Sequence, residues 1–297
     1  MKLNKLIGIL VIIFVLIMFV GAVSAADNSN GLNAVGADNR NFEVEHNSVS
    51  DALKASNSEV LGDGNTGNNW YVKAGATDGN GSQTKPFGDL QSAINNAGLQ
   101  EGDTIYVMKG TYKGTSNTGL TIDKNNLKIT SYDGTTTFNA EGKNQVFKIT
   151  GNNVVLSGLS LTNGKATNGG ALYIDGDNIQ VDNCIINSNS NTNIQRGGAI
   201  YIANHENVSI TNSMINSNKA KYSGGAIYNT APNTLIANCS FYNGIANSGG
   251  GIYSDKKISI VNTTMRSCKN AVVNGYGGGI CLKGSDASNS VIDNVSF

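Results

Sequence analysis

From Val154 onward, apolar and polar residues alternate for a few positions, stop at a glycine or an asparagine, and then resume. Aligned on that stop (Gly158, Asn183, Asn212, Asn238, Asn262 and Asn294), two columns are wholly apolar. Two residues before it stand Leu156, Val181, Ile210, Ile236, Ile260 and Ile292; three residues after it stand Leu161, Ile186, Ile215, Phe241, Met265 and Phe297. The position just before the stop is mixed (Ser157, Asp182, Thr211, Ala237, Val261, Asp293), as an outward column would be. Period-two alternation broken at a fixed residue describes a strand, a tight turn and a second strand. A second phrase recurs between these units, Gly-Gly-Ala/Gly-Leu/Ile followed by Tyr or Cys, starting at Gly169, Gly197, Gly224, Gly249 and Gly277. Its fourth residues (Leu172, Ile200, Ile227, Ile252, Ile280) are all aliphatic and predict a third inward column. Alternation then turns Tyr173, Tyr201, Tyr228 and Tyr253 outward.

A repeat of 25–28 residues marks a solenoid, each repeat forming one coil stacked on the last. In-register stacking places identical residues about 4.8 Å apart along the axis. On this reading Asn183, Asn212, Asn238, Asn262 and Asn294 form a structural ladder inside the coil, hydrogen-bonded side chain to side chain. Asn238, Asn262 and Asn294 also begin glycosylation acceptor triplets, which burial in the ladder would keep unmodified; Asn80 and Asn207, in turns, make better acceptors.

The chain ahead of the repeats supplies a different set of elements. Trp70-Tyr71-Val72 reads as the first strand, and Asp78–Ser82 as a turn; Gln83 stands where a calcium loop of that pattern requires glycine. Leu90, Ala93, Ile94 and Ala97 share one face of a short amphipathic helix, with Asp89 as N-cap and Gly98 as the C′ residue. Such a helix would cap the first coil, whose open edge otherwise invites aggregation. Thr104–Val107, Gly110–Tyr112 and Leu120–Ile122 read as short strands.

At the N-terminus, Lys2 and Lys5 precede an apolar run from Leu6 to Val23 that closes in Ser24-Ala25-Ala26. This is the layout of a signal peptide over residues 1–25, cleaved after Ala25 or Ala26. The competing reading is a retained membrane anchor, since the run approaches the roughly 17–25 residues that span a bilayer; either way the remainder is placed outside the cytoplasmic membrane. Residues 26–69 are polar and poor in aromatics, a flexible spacer with one short helix near 51–56. The β-helix domain is assigned to 70–297. Phe297 reads as the inward residue of an unfinished coil, so the domain is expected to be incomplete at its C-terminal end.

Composition narrows function mostly by exclusion. With 21 basic and 21 acidic residues the net charge is zero, which gives no reason to expect nucleic-acid binding or attachment to anionic lipid. The membrane is a partner only through the signal segment if it stays uncleaved. Two prolines and 37 glycines, with Asn, Ser and Thr at most polar positions, suit short strands joined by many turns.

Tyr71-Val72, the Asp78-Gly79-Asn80-Gly81 turn, Pro86-Phe87, Gln91-Ser92-Ala93-Ile94 and Gly102-Asp103-Thr104-Ile105 resemble the opening segment of pectate-lyase-like right-handed parallel β-helix proteins. The Gly-Gly-Ala-Ile/Leu phrases, with Ile186-Asn187-Ser188-Asn189 and Ile215-Asn216-Ser217-Asn218, resemble the repeats of the chlamydial polymorphic outer-membrane proteins. There Gly-Gly-Ala-Ile is paired with Phe-x-x-Asn; here Ile replaces Phe. With the signal segment, the combination is similar to adhesin-like surface proteins of methanogenic archaea. The resemblance covers about residues 70–297. It implies an all-β, right-handed parallel β-helix (solenoid) with a short N-terminal capping helix.

Parallel β-helices host enzymes that cleave polysaccharides, so the carboxylates matter. A glycoside hydrolase needs two carboxyl groups about 5 to 10 Å apart, and a lyase needs a base. Asp177 with Glu206 on adjacent coils, and Asp182 further along the strand, form the best candidate set. Solvated turn carboxylates are the plainer reading. His46 falls in the spacer and His205 in a turn. The Gly-Gly phrases lack the Lys-Ser/Thr of a phosphate loop. Cys184 and Cys239, two coils apart, are read as buried thiols, and Cys268 with Cys281 as a possible pair. No Cys/His spacing suggests a metal site, and no cofactor is expected.

The expected function is a secreted, extracellular, cell-surface adhesin-like or structural recognition protein without catalysis, whose partners are glycans or proteins of other cells. Two alternatives stay open. One is a polysaccharide lyase or glycoside hydrolase using Asp177, Asp182 and Glu206. The other is a non-catalytic glycan-binding module using the outward strip of Tyr173, Tyr201, Tyr228 and Tyr253, which could lie against sugar rings.

Overall fold

The computed structural model describes residues 67–189 and 195–297. The expected signal peptide, the spacer helix, His46 and nearly all of the spacer lie outside the described residues. The remainder is an all-β, right-handed parallel β-solenoid of about seven turns.

Each coil presents three faces. In one coil, Leu172–Ile174 lies on the third face, Gln180–Asp182 on the first and Ile185–Asn187 on the second. The third face is a seven-stranded parallel sheet. The first and second faces join through one strand, Ile258–Arg266, which runs through the corner and makes them a single 15-stranded sheet. Register is as the columns require: Leu156, Val181, Ile210, Ile236 and Ile260 pair in sequence, as do Leu161, Ile186, Ile215, Phe241 and Met265. All ten are at most 2% exposed. The last members of the two columns differ: Ile292 is 46% and Phe297 76% exposed, because no described coil lies over them.

The asparagine ladder exists, but on the outside, which corrects the expectation of an interior one. Asn183, Asn212, Asn238, Asn262 and Asn294 are exposed, with φ between 48° and 55°. A left-handed residue makes the corner between the first and second faces, and asparagine tolerates that conformation better than most L-residues. Gly158 (φ 69°) fills the same corner one coil earlier. The left-handed twist points the corner side chain out and the next residue in, so the buried column is Cys184, Ser213, Cys239 and Thr263. Asn212 Nδ2 donates to Asp182 Oδ1 (2.7 Å), Asn238 to Asn212 Oδ1 (3.3 Å) and Asn294 to Asn262 Oδ1 (2.8 Å). Interior asparagines occur elsewhere: Asn189 and Asn218 are buried, and Asn189 Nδ2 donates to Asn218 Oδ1 (3.1 Å). These are the fourth residues of the Ile-Asn-Ser-Asn phrases.

The corner between the third and first faces is built the same way. Asn126, Asn153, Asn178 and Asn207 all have φ of 55–58°, and Asn153, Asn178 and Asn207 each donate Nδ2 to Oδ1 of the asparagine one coil earlier at 2.8–3.0 Å.

The Gly-Gly phrase needs its two glycines for different reasons. The first, such as Gly224 (φ 65°), is left-handed. The second approaches the next coil: a Cβ on Gly225 would lie 2.1 Å from the carbonyl oxygen of Gly250. Only glycine fits there.

The capping helix is present as α1, Leu90–Ile94, with the Asp89 carboxylate accepting from Ser92 N at 2.8 Å and Leu90, Ala93 and Ile94 buried. It ends at Asn95, earlier than Gly98, whose missing side chain instead makes room for the Trp70 indole. The buried Asp103 accepts from Trp70 Nε1 (2.7 Å) and from the N–H groups of Asn68 and Gln100, securing the first coil.

Cys184 and Cys239 are buried thiols, with burial pushing both pKa values up to about 12. Cys268 and Cys281, the pair left open by the sequence, are both free thiols. Cys281 extends the outward tyrosine column, opposite Tyr253, while Cys268 packs against the core.

Candidate functional site

The outward column of the third face runs Thr121, Lys148, Tyr173, Tyr201, Tyr228, Tyr253, Cys281. The four tyrosine rings stack face to face, with centroids 5.0–5.3 Å apart and planes within 17° of parallel. That spacing is close to the coil rise, so each ring spends its faces on its neighbours. The Lys148 ammonium sits 5.4 Å from the centroid of Tyr173, and the Arg196 guanidinium 5.4 Å from that of Tyr228. Solvent therefore meets ring edges and hydroxyls, so the strip offers no open ring faces for a sugar to lie on. Tyr173 and Tyr201 are half-buried, whereas Tyr228 and Tyr253 are only 7% exposed. Tyr228 donates its hydroxyl to Asp255 Oδ2 (2.8 Å). Burial, aided by Asp255, pushes Tyr253 up to about 12 and raises Tyr228 as well. Burial, then the nearby Asp175, raises Tyr173.

At the upper end of this column three coils bring charged groups together. Lys148 Nζ is 3.4 Å from Asp175 Oδ2, His205 Nε2 is 3.4 Å from Asp175 Oδ1, and His205 Nδ1 is 3.1 Å from Asp177 Oδ1. His205 thus bridges two aspartates of the coil above. Sequence reasoning passed over Lys148, Asp175 and His205 as a group. The register would have found them, since Lys148 precedes Tyr173 in its column and Asp175 lies two residues beyond it.

The structure places Asp177 and Glu206 on adjacent coils and gives the predicted carboxylates different uses. Asp177 Oδ1 accepts the backbone N–H of Glu206 at 2.8 Å, and this bond, reinforced by His205, holds its carboxyl below the usual aspartate range. The same position one and two coils earlier is Asn152 and Asn125; Asn152 Oδ1 accepts Asp177 N and Asn125 Oδ1 accepts Asn152 N, each at 2.9 Å. Asp177 is therefore the next rung of a ladder in which a side-chain oxygen holds the following coil. The Glu206 side chain is exposed and makes no hydrogen bond or ion pair among the described residues. Asp182 lies on the first face, beyond the Asn178 corner, and accepts from Thr211 Oγ1 and Asn212 Nδ2 at 2.7 Å each.

The fold resembles that of pectate lyase Pel9A. The likeness has a TM-score of 0.53 at 18% identity, over 71% of this chain and 57% of that one, so this chain spans a little over half of Pel9A. A rhamnogalacturonan lyase follows with a TM-score of 0.49 at 16% identity, covering 73% and 62% of the two chains. Pectin methylesterase PemA from Erwinia chrysanthemi has a TM-score of 0.48 at 15% identity, covering 71% and 69%. No family model matches the sequence, and no curated protein matches it. At these identities the likeness to Pel9A establishes the β-helix scaffold and leaves the chemistry to the residues.

Those residues divide into two groups. Asp177 and Asp182 hold coils together. Lys148, Asp175 and His205 form a half-exposed, hydrogen-bonding charge cluster beside the accessible end of the tyrosine stack. Among the described residues no group of His, Cys, Asp and Glu has the arrangement of a metal centre, and no helix is long and apolar enough to cross a membrane.

Proposed function

We propose that this chain is an exported, cell-surface-associated recognition protein, adhesin-like and non-catalytic, of the kind suggested by its repeats. The observation that carries this reading is the use of the candidate carboxylates. Asp177 is held ionised as a ladder rung and so is a poor general acid, and Asp182 is spent on Thr211 and Asn212. Kinship with the chlamydial polymorphic outer-membrane repeat type and with adhesin-like archaeal surface proteins belongs to the same proposal, resting on the Gly-Gly-Ala-Ile phrases. Its partners are glycans or proteins of other cells. Purified protein, immobilised and probed with intact cells and a glycan array, should show saturable binding that leaves the ligand chemically unchanged. Absence of binding to every cell and glycan surface would remove the recognition reading.

A second reading is favoured by the Lys148–Asp175–His205–Asp177 cluster, which gathers a cation, a histidine and two carboxylates on one outward face. On this reading the protein acts on an acidic polysaccharide, the class named by pectate lyase Pel9A. Release of shortened or unsaturated sugar products, abolished by His205→Ala, would establish it in place of the first.

A further inference from the structure

The exposed corner between the first and second faces carries a chemical motif that the recognition reading does not use. Three acceptor triplets, Asn238-Cys239-Ser240, Asn262-Thr263-Thr264 and Asn294-Val295-Ser296, start on it in consecutive coils. Burial was the reason to expect them to stay unmodified, and the structure removes that reason: all three asparagines are exposed. The middle residue of the triplet turns inward (Cys239 2% and Thr263 1% exposed), and the third returns to the outer surface of the second face. Acceptor amide and hydroxyl therefore stand on the same side of the wall.

The three amides are not equivalent. Asn238 Nδ2 donates to Asn212, and Asn294 Nδ2 donates to Asn262. Asn262 accepts from below but its own Nδ2 donates to no described residue, so the ladder is interrupted between Asn238 and Asn262. Of the turn acceptors, Asn207 Nδ2 is tied to Asn178 at 3.0 Å, and Asn80 Oδ1 closes its own turn on Ser82 N at 3.1 Å.

We propose that Asn262 is an N-linked glycosylation site. Its nitrogen attacks the anomeric carbon of a lipid-pyrophosphate-linked oligosaccharide. The C–N bond forms as the C–O bond to phosphate breaks, the lipid pyrophosphate leaves with the electron pair, and one amide proton passes to a base of the transferring enzyme. Because Asn262 Nδ2 holds no coil-to-coil bond, the modification displaces none, whether it precedes or follows folding. A glycan here covers the corner between the first and second faces and leaves the third, with its tyrosines and charge cluster, uncovered. The proposal rests on the exported reading above.

The test is expression of the full chain in a host whose secretory pathway performs N-linked transfer, with glycopeptide mapping of the protein recovered from the medium. Asn262 should carry a glycan on most molecules. Asn262→Gln and Thr264→Ala should each remove one glycan mass from the intact protein, and Thr264→Ser should retain it; the Thr264 variants keep the corner residue intact should Asn262→Gln fold poorly. Secreted protein with Asn262 unmodified overturns the proposal. Failure to reach the medium counts against export instead. In that case replacing residues 1–25 with the host's own signal decides the acceptor question by the same readout.

Discussion

Asn212 offers the sharpest test of how the coils turn, because an exterior left-handed corner and an interior ladder predict opposite orders for two substitutions. Asn212 has φ 51°, is exposed, donates to Asp182 at 2.7 Å and accepts from Asn238 at 3.3 Å. Asn212→Ala loses both contacts. A charge-assisted bond is worth about 1.5–3 kcal/mol when well shielded and a neutral one about 0.5–1.5; exposure brings the pair to ~1–2 kcal/mol. Alanine also bears the left-handed penalty of roughly 1–2 kcal/mol. Asn212→Gly loses the same bonds but not that penalty, and adds roughly 0.4–1 kcal/mol for the freer unfolded chain. Alanine should therefore be the worse substitution by ~0.5–1 kcal/mol. Urea titration of the purified protein, followed by tryptophan fluorescence and far-UV circular dichroism, reads the difference as a lower midpoint for Asn212→Ala than for Asn212→Gly. Equal midpoints, or glycine below alanine, would refute the corner account.

Three further outcomes follow from the same geometry. Asp177 has a folded pKa below its ordinary value, so its contribution to stability is complete above about pH 4 and is lost as pH falls through the folded value. Asp177→Asn, which places at that rung the residue that Asn152 supplies one coil earlier, should flatten the acid limb of the stability–pH curve; an unchanged limb counts against the rung. Cys184 and Cys239, with pKa values near 12, should resist a disulfide thiol reagent at pH 8 until the protein unfolds, while the half-buried Cys281 reacts first; peptide mapping of the labelled thiols decides it. Ile210→Ala, at a wholly buried position between Val181 and Ile236, should cost about 2–5 kcal/mol in the urea titration, and a loss below about 1 kcal/mol would contradict a packed interior at that coil.

Most of the fold could be read from the chain because a solenoid repeats its physics. An apolar column seen in several consecutive coils is hard to mistake, and the inward residues from Leu156 to Met265 lie where alternation puts them. The asparagine column was equally visible, yet its direction was misjudged. Periodicity says that a residue recurs; it does not say that a left-handed turn swings it outward and sends Cys184, Ser213, Cys239 and Thr263 inward. The presence of Gly158 in that column was the available hint, since glycine marks a backbone requirement and cannot serve a side-chain ladder. The tyrosine column falls where alternation puts it, but alternation does not express how stacking at the coil rise turns the ring faces toward one another. The charge cluster was missed for a different reason: Lys148, Asp175 and His205 meet across three coils in loop-flanked positions. Only the register of the Gly-Gly phrases, carried back to Phe147 where the phrase itself is absent, brings them into line.

The central claim is that Asp177 and Asp182 serve coil pairing and perform no chemistry. Mass-spectrometric product analysis of polygalacturonate and a panel of neutral and acidic glycans, incubated with the wild type, Asp177→Asn and Asp182→Asn, tests it directly. The account predicts no product above the enzyme-free control from any of the three proteins, with the two variants differing from wild type only in stability. Turnover by the wild type that disappears in a folded Asp177→Asn or Asp182→Asn protein would contradict it.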